Sequence, residues 1–445
     1  NTYMALLIPS LMLNAFYIMI TRSYIQSNIP EELVEACRID GASETKIFWK
    51  MVLPLSKPIF VTLVLFIGIS MGASIMVAQY FGAKQREDLS YTIGNCILLT
   101  VISSIFIMFL ALVVVRPLLE LLQTPYTIID WCTSYLKIMF LGIAGCAFYN
   151  ILSGVLRGLG DAFSALVYLL VSTVINIILD LLFVAKFGMG VNGVALATVI
   201  AQAVSAILCL IRLSKMKDLF DLNRKYLKWN GKYGKNIIRL GVPSGLTQAI
   251  FSMAMIIVQS LTNSFGEMFI AANVIVMRVD GFAMLPNFSF GTAMTTYSGQ
   301  NIGAAKNDRV TKGAKQGTLI AVLTTTFITS LILIFGRQLM GIFTATTELV
   351  DLSRRMMGII AAGYIAMAVT QSLSGVMRGA GDTMTPMWIS LFTTIVVRVP
   401  VAYGIAHFTK SATFPNGRQE CVFISLLCSW LIGAIMTTIF YLRGK

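Results

Sequence analysis

The stretch Ser153-Gly154-Val155-Leu156-Arg157-Gly158-Leu159-Gly160-Asp161 recurs further along the chain as Ser374-Gly375-Val376-Met377-Arg378-Gly379-Ala380-Gly381-Asp382. Seven of the nine positions are identical, and the offset is 221 residues (374 − 153). Gln79 and Gly82 recur at the same offset as Gln300 and Gly303. Two unrelated motifs that share one offset indicate an internal duplication. Glycines followed by Arg and Asp are typical of a helix C-terminus at the membrane surface.

The composition of the chain requires lipid as its solvent. Of its 445 residues, 57% are hydrophobic and only 12% are charged, and the mean hydropathy is +0.80. Soluble domains of ordinary size cannot bury that much apolar surface. Twelve stretches of roughly 20 residues have the length that crosses the hydrocarbon core as a helix. These are 3–20, 59–80, 92–115, 131–152, 163–185, 191–211, 241–262, 269–291, 316–335, 356–376, 385–408 and 421–441.

The net charge of +14 does not indicate nucleic-acid binding, because the basic residues cluster in particular loops. This clustering indicates the topology of the chain in the membrane. Nine Lys or Arg lie from Arg212 to Arg239, and two further connections hold Lys84, Arg86, Lys306, Arg309, Lys312 and Lys315. The positive-inside rule places these loops in the cytoplasm. Both copies of the repeat then share one orientation. The sequence therefore predicts an all-α polytopic membrane protein whose two six-helix lobes are related by a parallel repeat, an architecture of alternating-access carriers.

Residues 65–445 resemble the multidrug and toxic compound extrusion family. The resemblance rests on Met71-Gly72-Ala73, Gln79-Tyr80-Phe81-Gly82-Ala83, Gly299-Gln300-Asn301-Ile302-Gly303-Ala304 and both R-G-x-G-D motifs. It implies two lobes around a central cavity, in a bacterial inner membrane, which export small amphipathic organic cations in exchange for Na⁺ or H⁺. On this reading, 65–211 is the N-terminal lobe, 212–240 a cytoplasmic basic linker and 241–445 the C-terminal lobe.

The N-terminal lobe is expected to lack its usual first helix. Subtracting 221 from the span 241–262 leads to residues 20–41, which hold six charged side chains and Pro30. Charges at the bilayer centre cost about 2.5 to 3.5 kcal/mol each even on insertion scales. Such a segment cannot span the membrane.

Residues 1–64 instead resemble the E-A-A loop region of permease subunits in carbohydrate ABC importers, through Glu35-Ala36-Cys37-Arg38-Ile39-Asp40-Gly41-Ala42. The resemblance implies an apparent chimera, in which Glu35, Ala36, Asp40 and Gly41 belong to a loop that docks on an ABC ATPase subunit if the segment is functional. Without any family, residues 31–50 form an amphipathic helix at the membrane surface, with acids near its start.

The chain between Asp161 and Asp218 contains a single acid, Asp180, which lies well inside an apolar run. The i, i+4 spacing places Asn176 on the same helix face, and Thr198 on the next helix can add a hydroxyl. Oxygen ligands suit a small hard cation, and a buried carboxylate can also exchange a proton. Asp180, Asn176 and Thr198 are therefore the predicted coupling site; the alternative is a helix-end acid close to Lys186. In the family, matching positions bind the coupling ion together with an Asp on the first helix, the one expected to be absent here.

The C-terminal lobe offers Gln259, Asn263, Arg278 and Asp280 as possible residues of a substrate cavity. Arg278 and Asp280 are two residues apart on one helix, so they face different directions, and a structural role is the alternative. Gln259 and Asn263 can bond a substrate or a neighbouring helix.

Other functional classes find less support in the sequence. The seven cysteines form no C-x-x-C pair and are expected to pack in helices without metal or disulfide roles, so we expect no cofactor and no metal beyond transient Na⁺. No Walker A motif or catalytic triad is present, so the protein is not expected to be an enzyme. The alternatives to a cation-coupled antiporter are a lipid-linked oligosaccharide flippase of related fold, an ABC sugar importer permease and an inactive chimera.

Overall fold

The computed structural model describes residues 53–121, 126–411 and 414–444, and over these ranges the chain is helical and contains no strand. The all-α prediction is therefore confirmed. Two helices continue into π-helical turns, Leu181–Lys186 and Phe392–Val397. The helices are α1 (Leu53–Gly82), α2 (Arg86–Leu121), α3 (Tyr126–Leu141), α4 (Ile143–Gly158), α5 (Ala162–Asp180), α6 (Gly190–Ser214), α7 (Gly231–Asn263), α8 (Glu267–Gly303), α9 (Asn307–Ile334), α10 (Gly336–Gly341), α11 (Thr347–Gly379), α12 (Met384–Leu391), α13 (Arg398–Phe408) and α14 (Cys421–Arg443).

Among the described residues, nine spans are long and apolar enough to cross a membrane, and α3 with α4, bent by 44°, makes a tenth. Every predicted stretch from 59–80 onward falls on one of these helices or on α1. The first stretch, 3–20, and the expected lack of a first helix lie outside the described residues. Several helices exceed the predicted spans. For example, α8 has 37 residues because its polar end continues past the apolar part.

Large apolar side chains cover the outside of the helices. Phe109 is 71% exposed, Phe163 76% and Phe327 65%. Contiguous apolar surface of this extent is unfavourable in water and is natural against lipid tails. The structure thus agrees with the composition in describing a multi-pass membrane protein.

The two copies of the repeat end their helices in the same geometry. Gly160 has φ +91° and Gly381 has φ +93°, the left-handed conformation that closes a helix C-terminus. The Asp161 amide donates to the Leu156 carbonyl at 2.9 Å, and the Asp382 amide donates to the Met377 carbonyl at 3.0 Å. The interpretation of this motif as a helix C-terminus is confirmed, and each glycine is required by its positive φ.

The second repeated motif also ends in matched geometry. Lys84 has φ +57° and Ala305 has φ +55°, although neither is glycine. The next amide in each copy, that of Gln85 or Lys306, donates to the carbonyl five residues earlier, at 3.1 and 2.8 Å. A left-handed non-glycine residue costs roughly 1 kcal/mol. Its recurrence at an offset of 221 residues supports the duplication (305 − 84).

The repeated motif contains a G-x-x-x-G pattern that packs one helix closely on another. A Cβ added to Gly154 would lie 2.8 Å from the carbonyl oxygen of Ser70, and one added to Gly158 would lie 2.8 Å from that of Ser74. The equivalent glycines of α11, Gly375 and Gly379, meet Gly291 and Thr295 of α8 in the same way. Small residues let helix backbones approach each other in lipid. The sequence interpretation had assigned these glycines only to a helix end.

The chain divides into two compact units. Unit 1 extends to Phe81 and from Gln85 to Leu246, and unit 2 consists of Gly82–Lys84 and the residues from Thr247 onward. The core of unit 1 includes Leu89, Ile93, Leu152 and Phe220, and that of unit 2 includes Phe269, Tyr364, Phe423 and Trp430.

The basic segment 212–240 is attached to unit 1 by specific contacts with α2. The Arg86 guanidinium donates to both oxygens of Asp221, at 3.1 and 2.9 Å, and to the carbonyls of Lys217 and Asp218. The side-chain oxygen of Asn95 accepts from the Asn230 amide at 3.0 Å, and Phe220 is 1% exposed. Charged loop residues thereby reach the first turns of α2 and hold the segment against the unit.

Candidate functional site

The helix that carries Asp180 is held at its start by the repeated motif. Asp161 is the N-cap of α5: its Oδ1 accepts from the Ser164 amide at 3.1 Å, and its Oδ2 accepts from Arg212 Nε at 2.7 Å. The helix then runs to Asp180, where the backbone changes to the π-helical turn Leu181–Lys186. Such turns often occur at functional sites, because the extra residue redirects the side chains beside it.

The three residues of the predicted coupling site lie where α5 packs on α6. Asn176 Nδ2 donates to Thr198 Oγ1 at 3.4 Å, and Thr198 Oγ1 donates to the Val194 carbonyl at 2.9 Å. Asp180 is one turn beyond Asn176 on the same helix. Its Oδ1 is enclosed by protein, and no described residue donates a hydrogen bond to it. The structure thus brings Asn176 and Thr198 into contact and leaves Oδ1 of Asp180, one helical turn from Asn176, without a hydrogen bond from the described residues.

Tyr135 of α3 is a titratable neighbour of Asp180 that sequence reasoning missed. It lies within electrostatic range of Asp180 and is partly buried. Forty-five residues separate the two positions (180 − 135), so no local spacing relates them. The packing of α3 on α6 places the phenol within electrostatic range of the carboxylate.

The chemistry of this site fits a small cation or a proton. A buried carboxylate oxygen without a hydrogen-bond donor is costly, and acids inside membrane spans are by default functional. The amide and hydroxyl oxygens of Asn176 and Thr198 are hard ligands of the type that Na⁺ accepts, and a proton on Asp180 would remove the charge altogether.

The four residues predicted for a substrate cavity in unit 2 take three separate positions. Gln259 Nε2 donates to Asn263 Oδ1 at 2.8 Å, so these two amides satisfy each other within α7. Arg278 is exposed, and its guanidinium carbon lies 5.8 Å from the centre of the Phe343 ring. Asp280 points elsewhere, as the two-residue spacing predicts, and accepts a hydrogen bond from Tyr364 Oη at 2.9 Å.

Asp280 shares its surroundings with a buried arginine. Arg398 is only 3% exposed, and its charge acts on Asp280 although the two groups do not form an ion pair within 4 Å. Its Nη2 lies 3.7 Å from Met255 Sδ, while Nε and Nη1 have no partner in the described part of the chain. A neighbouring positive charge offsets that of Asp280, whereas no basic group among the described residues offsets that of Asp180.

The docking-loop residues Glu35, Ala36, Asp40 and Gly41 lie outside the described residues. Their docking to an ABC ATPase therefore stays a prediction.

Comparison with known proteins matches most of the chain to one family of transporters. The MatE family model matches residues 55–182 and 243–404, beginning ten residues before the predicted start at 65. The Bacillus subtilis "probable multidrug resistance protein YoeA" is 30% identical over 361 residues, covering 79% of this chain and 78% of that protein. The Thermotoga maritima "probable multidrug resistance protein NorM" is 25% identical over 403 residues, covering 88% of this chain and 84% of that protein.

Solved structures share the fold. A crystal structure of MATE in the straight conformation aligns with a TM-score of 0.79 at 21% identity, covering 98% of this chain and 93% of that one. A MOP superfamily transporter from Pyrococcus furiosus, described as having a binding pocket of reverse polarity, aligns with a TM-score of 0.80 at 21% identity, covering 98% of this chain and 93% of that one.

Proposed function

Because the chain belongs to the MATE family and is a multidrug efflux transporter, not an enzyme, we propose that it is an antiporter coupled through Asp180. It exports small amphipathic organic cations across the bacterial inner membrane in exchange for Na⁺ or H⁺. The observation that carries this proposal is the enclosed Oδ1 of Asp180, which no described residue bonds, beside the polar atoms of Asn176 and Thr198.

The proposed exchange follows from charge. One carboxylate in a low-dielectric environment needs one neutralising charge, and two cations cannot share it without strong repulsion. Binding of Na⁺ or H⁺ at Asp180 therefore weakens the binding of an organic cation in the same unit. Because the ion and the drug compete for one carboxylate, entry of the ion from one side of the membrane is linked to release of the drug on that side.

Asp280 is the weaker candidate for this role. Tyr364 already donates to its carboxylate, and the charge of Arg398 opposes the approach of a second cation. We therefore assign to Asp280, with Gln259, Asn263 and Arg278, a secondary part in substrate contact or in structure.

The proposal is tested by Asp180→Asn, which keeps the size of the side chain and removes its charge. We expect ethidium efflux from energised cells to fall to the level of cells without the protein. Asp130→Asn is the matched control, since Asp130 is 77% exposed and pairs only loosely with Arg116 at 3.7 Å. Coupled efflux that survives in Asp180→Asn would remove this residue from the mechanism. Repeating the wild-type assay without Na⁺, and then with a protonophore, identifies the coupling ion.

A further inference from the structure

Unit 2 contains a partly open cavity that the coupling site does not use. It has a volume of about 120 Å³ and lies between α7, α8, α11, α12 and α14. Cavities of roughly this size, about 150 Å³, hold a single aromatic ring in other proteins. Neither Asp280 nor Arg278 lines the cavity, and the described residues that line it include no Asp or Glu.

The charged group on the cavity wall is the arginine of the repeated motif, Arg378. It lies in the last turn of α11. Its side chain is partly buried, its Nε is enclosed, and it has no hydrogen bond or ion pair with any residue that the structure describes. A guanidinium without a partner is costly in such surroundings unless something outside the chain pairs with it.

The other copy of the motif shows that this isolation is not a requirement of the fold. Arg157 occupies the equivalent position in unit 1, and its Nη1 donates to Ser153 Oγ at 3.1 Å. The equivalent serine of unit 2, Ser374, lines the cavity and does not bond Arg378. The arginine of the repeat thus forms a hydrogen bond within its own helix in unit 1 and lines a cavity in unit 2.

The remaining walls are suited to a small amphipathic molecule. Gln248, Gln371 and Thr370 contribute amide and hydroxyl groups, while Phe251, Phe288 and Trp430 provide aromatic surface. A few polar groups within an apolar lining are typical of pockets that bind and orient small ligands. The polar groups can accept or donate, so the sign of the bound charge is decided by Arg378.

We propose that this cavity binds the carboxylate of a small aromatic acid, with Arg378 as its counter-ion. The guanidinium presents parallel N–H donors that match the two oxygens of a carboxylate, and the aromatic walls cover the ring. Unit 2 then accepts an organic anion, or the acidic end of a zwitterion, while a carboxylate in unit 1 accepts cations. This inference does not depend on coupling at Asp180.

The test compares benzoate with benzylammonium, which share one ring and differ in charge. Radiolabelled probes are measured by equilibrium dialysis on the full chain in lipid nanodiscs, with empty nanodiscs subtracted. We expect the wild type to bind benzoate more tightly than benzylammonium. Arg378→Gln should lower the affinity for benzoate at least about tenfold, which is the effect of losing a charge-assisted hydrogen bond. Arg309→Gln, which removes an exposed arginine of the same unit, should leave binding unchanged.

A second pair of variants keeps Arg378 in place. A Cβ on Gly433 would lie 3.8 Å from its nearest neighbours, which belong to Thr370 and Thr393. The leucine side chain of Gly433→Leu can therefore extend into the cavity and should prevent the binding of benzoate. Gly358→Leu, where an added Cβ meets nothing within 4 Å, is its control. Unchanged benzoate affinity in Arg378→Gln or Gly433→Leu, or a wild-type preference for benzylammonium, would overturn the proposal. Asp180→Asn should keep benzoate binding, which separates this result from the test of coupled efflux.

Discussion

Asp161 and Asp382 hold the same position in the two copies of the repeat, and each carboxylate accepts a hydrogen bond from the first turn of the helix that follows. The Asp161 carboxylate accepts from the Ser164 amide at 3.1 Å, and the Asp382 carboxylate accepts from the Thr385 amide at 3.0 Å. Within the part of the chain that the structure describes, only Asp161 also pairs with an arginine, Arg212, at 2.7 Å. One residue type at one repeated position therefore carries different interactions in the two units.

This difference predicts unequal costs of removing the two side chains. Loss of a helix cap costs roughly 1 kcal/mol, so both Asp161→Ala and Asp382→Ala should lower the midpoint of thermal unfolding in detergent. Asp161→Ala should lower it more, since the half-exposed pair with Arg212 adds up to about 1 kcal/mol. Equal shifts in the two variants would show that the ion pair contributes nothing.

The contribution of Asp161 should also depend on pH. Burial by itself raises the pKa of Asp161, but hydrogen bonds from Arg212 and Ser164 outweigh it and hold the pKa below its ordinary value. A lowered pKa stabilises the folded state above the ordinary value of about 3.9, and that stabilisation is lost as the pH falls through the lowered pKa. The difference in unfolding midpoint between wild type and Asp161→Ala should thus be largest at neutral pH and decrease in acid. A difference that does not change with pH would refute this linkage.

At the scale of elements, the G-x-x-x-G pattern explains why α4 and α11 each cross a neighbour at backbone contact. A methyl group on Gly375 would overlap the carbonyl oxygen of Gly291, and one on Gly379 would lie 2.5 Å from that of Thr295. The helices cannot separate locally without losing the packing on either side, because protein interiors are dense.

Gly375→Ala is therefore expected to destabilise unit 2 by about 1 to 3 kcal/mol, the usual cost of overpacking. The matched control is Gly358→Ala on the same helix, where a Cβ meets nothing within 4 Å and helix propensity favours alanine. Thermal unfolding in detergent should show a lower midpoint for Gly375→Ala and an equal or higher one for Gly358→Ala. A midpoint for Gly375→Ala that matches its control would mean that the crossing has room for a methyl group.

For the whole molecule, the distribution of charge predicts which connections face the cytoplasm. The segment 212–240 and the first turns of α9 are basic, whereas the connection between α5 and α6 holds one basic residue, Lys186. Reporter fusions test this sidedness. A green fluorescent protein fused after Arg224 or Lys312 should fluoresce, and alkaline phosphatase fused after Gly188 should be active. An active phosphatase after Arg224 would reverse the assigned topology.

Composition and local sequence pattern are enough to predict the membrane class, the duplication and most of the spans. An apolar run long enough for the bilayer must be helical, since no water satisfies its backbone. Local spacing also predicts that Asp180 and Asn176 lie one turn apart on one helix, and the local motif predicts the helix end at Gly160.

The packing of the helices sets which distant groups meet. It placed Thr198 beside Asn176, brought Tyr135 within range of Asp180, and left Arg378 facing a cavity while its repeat partner Arg157 bonds Ser153. It also showed that the repeated glycines join two helices as well as ending one. These outcomes depend on how whole helices pack, and identical local sequence leaves that choice open, as the two copies of one motif demonstrate.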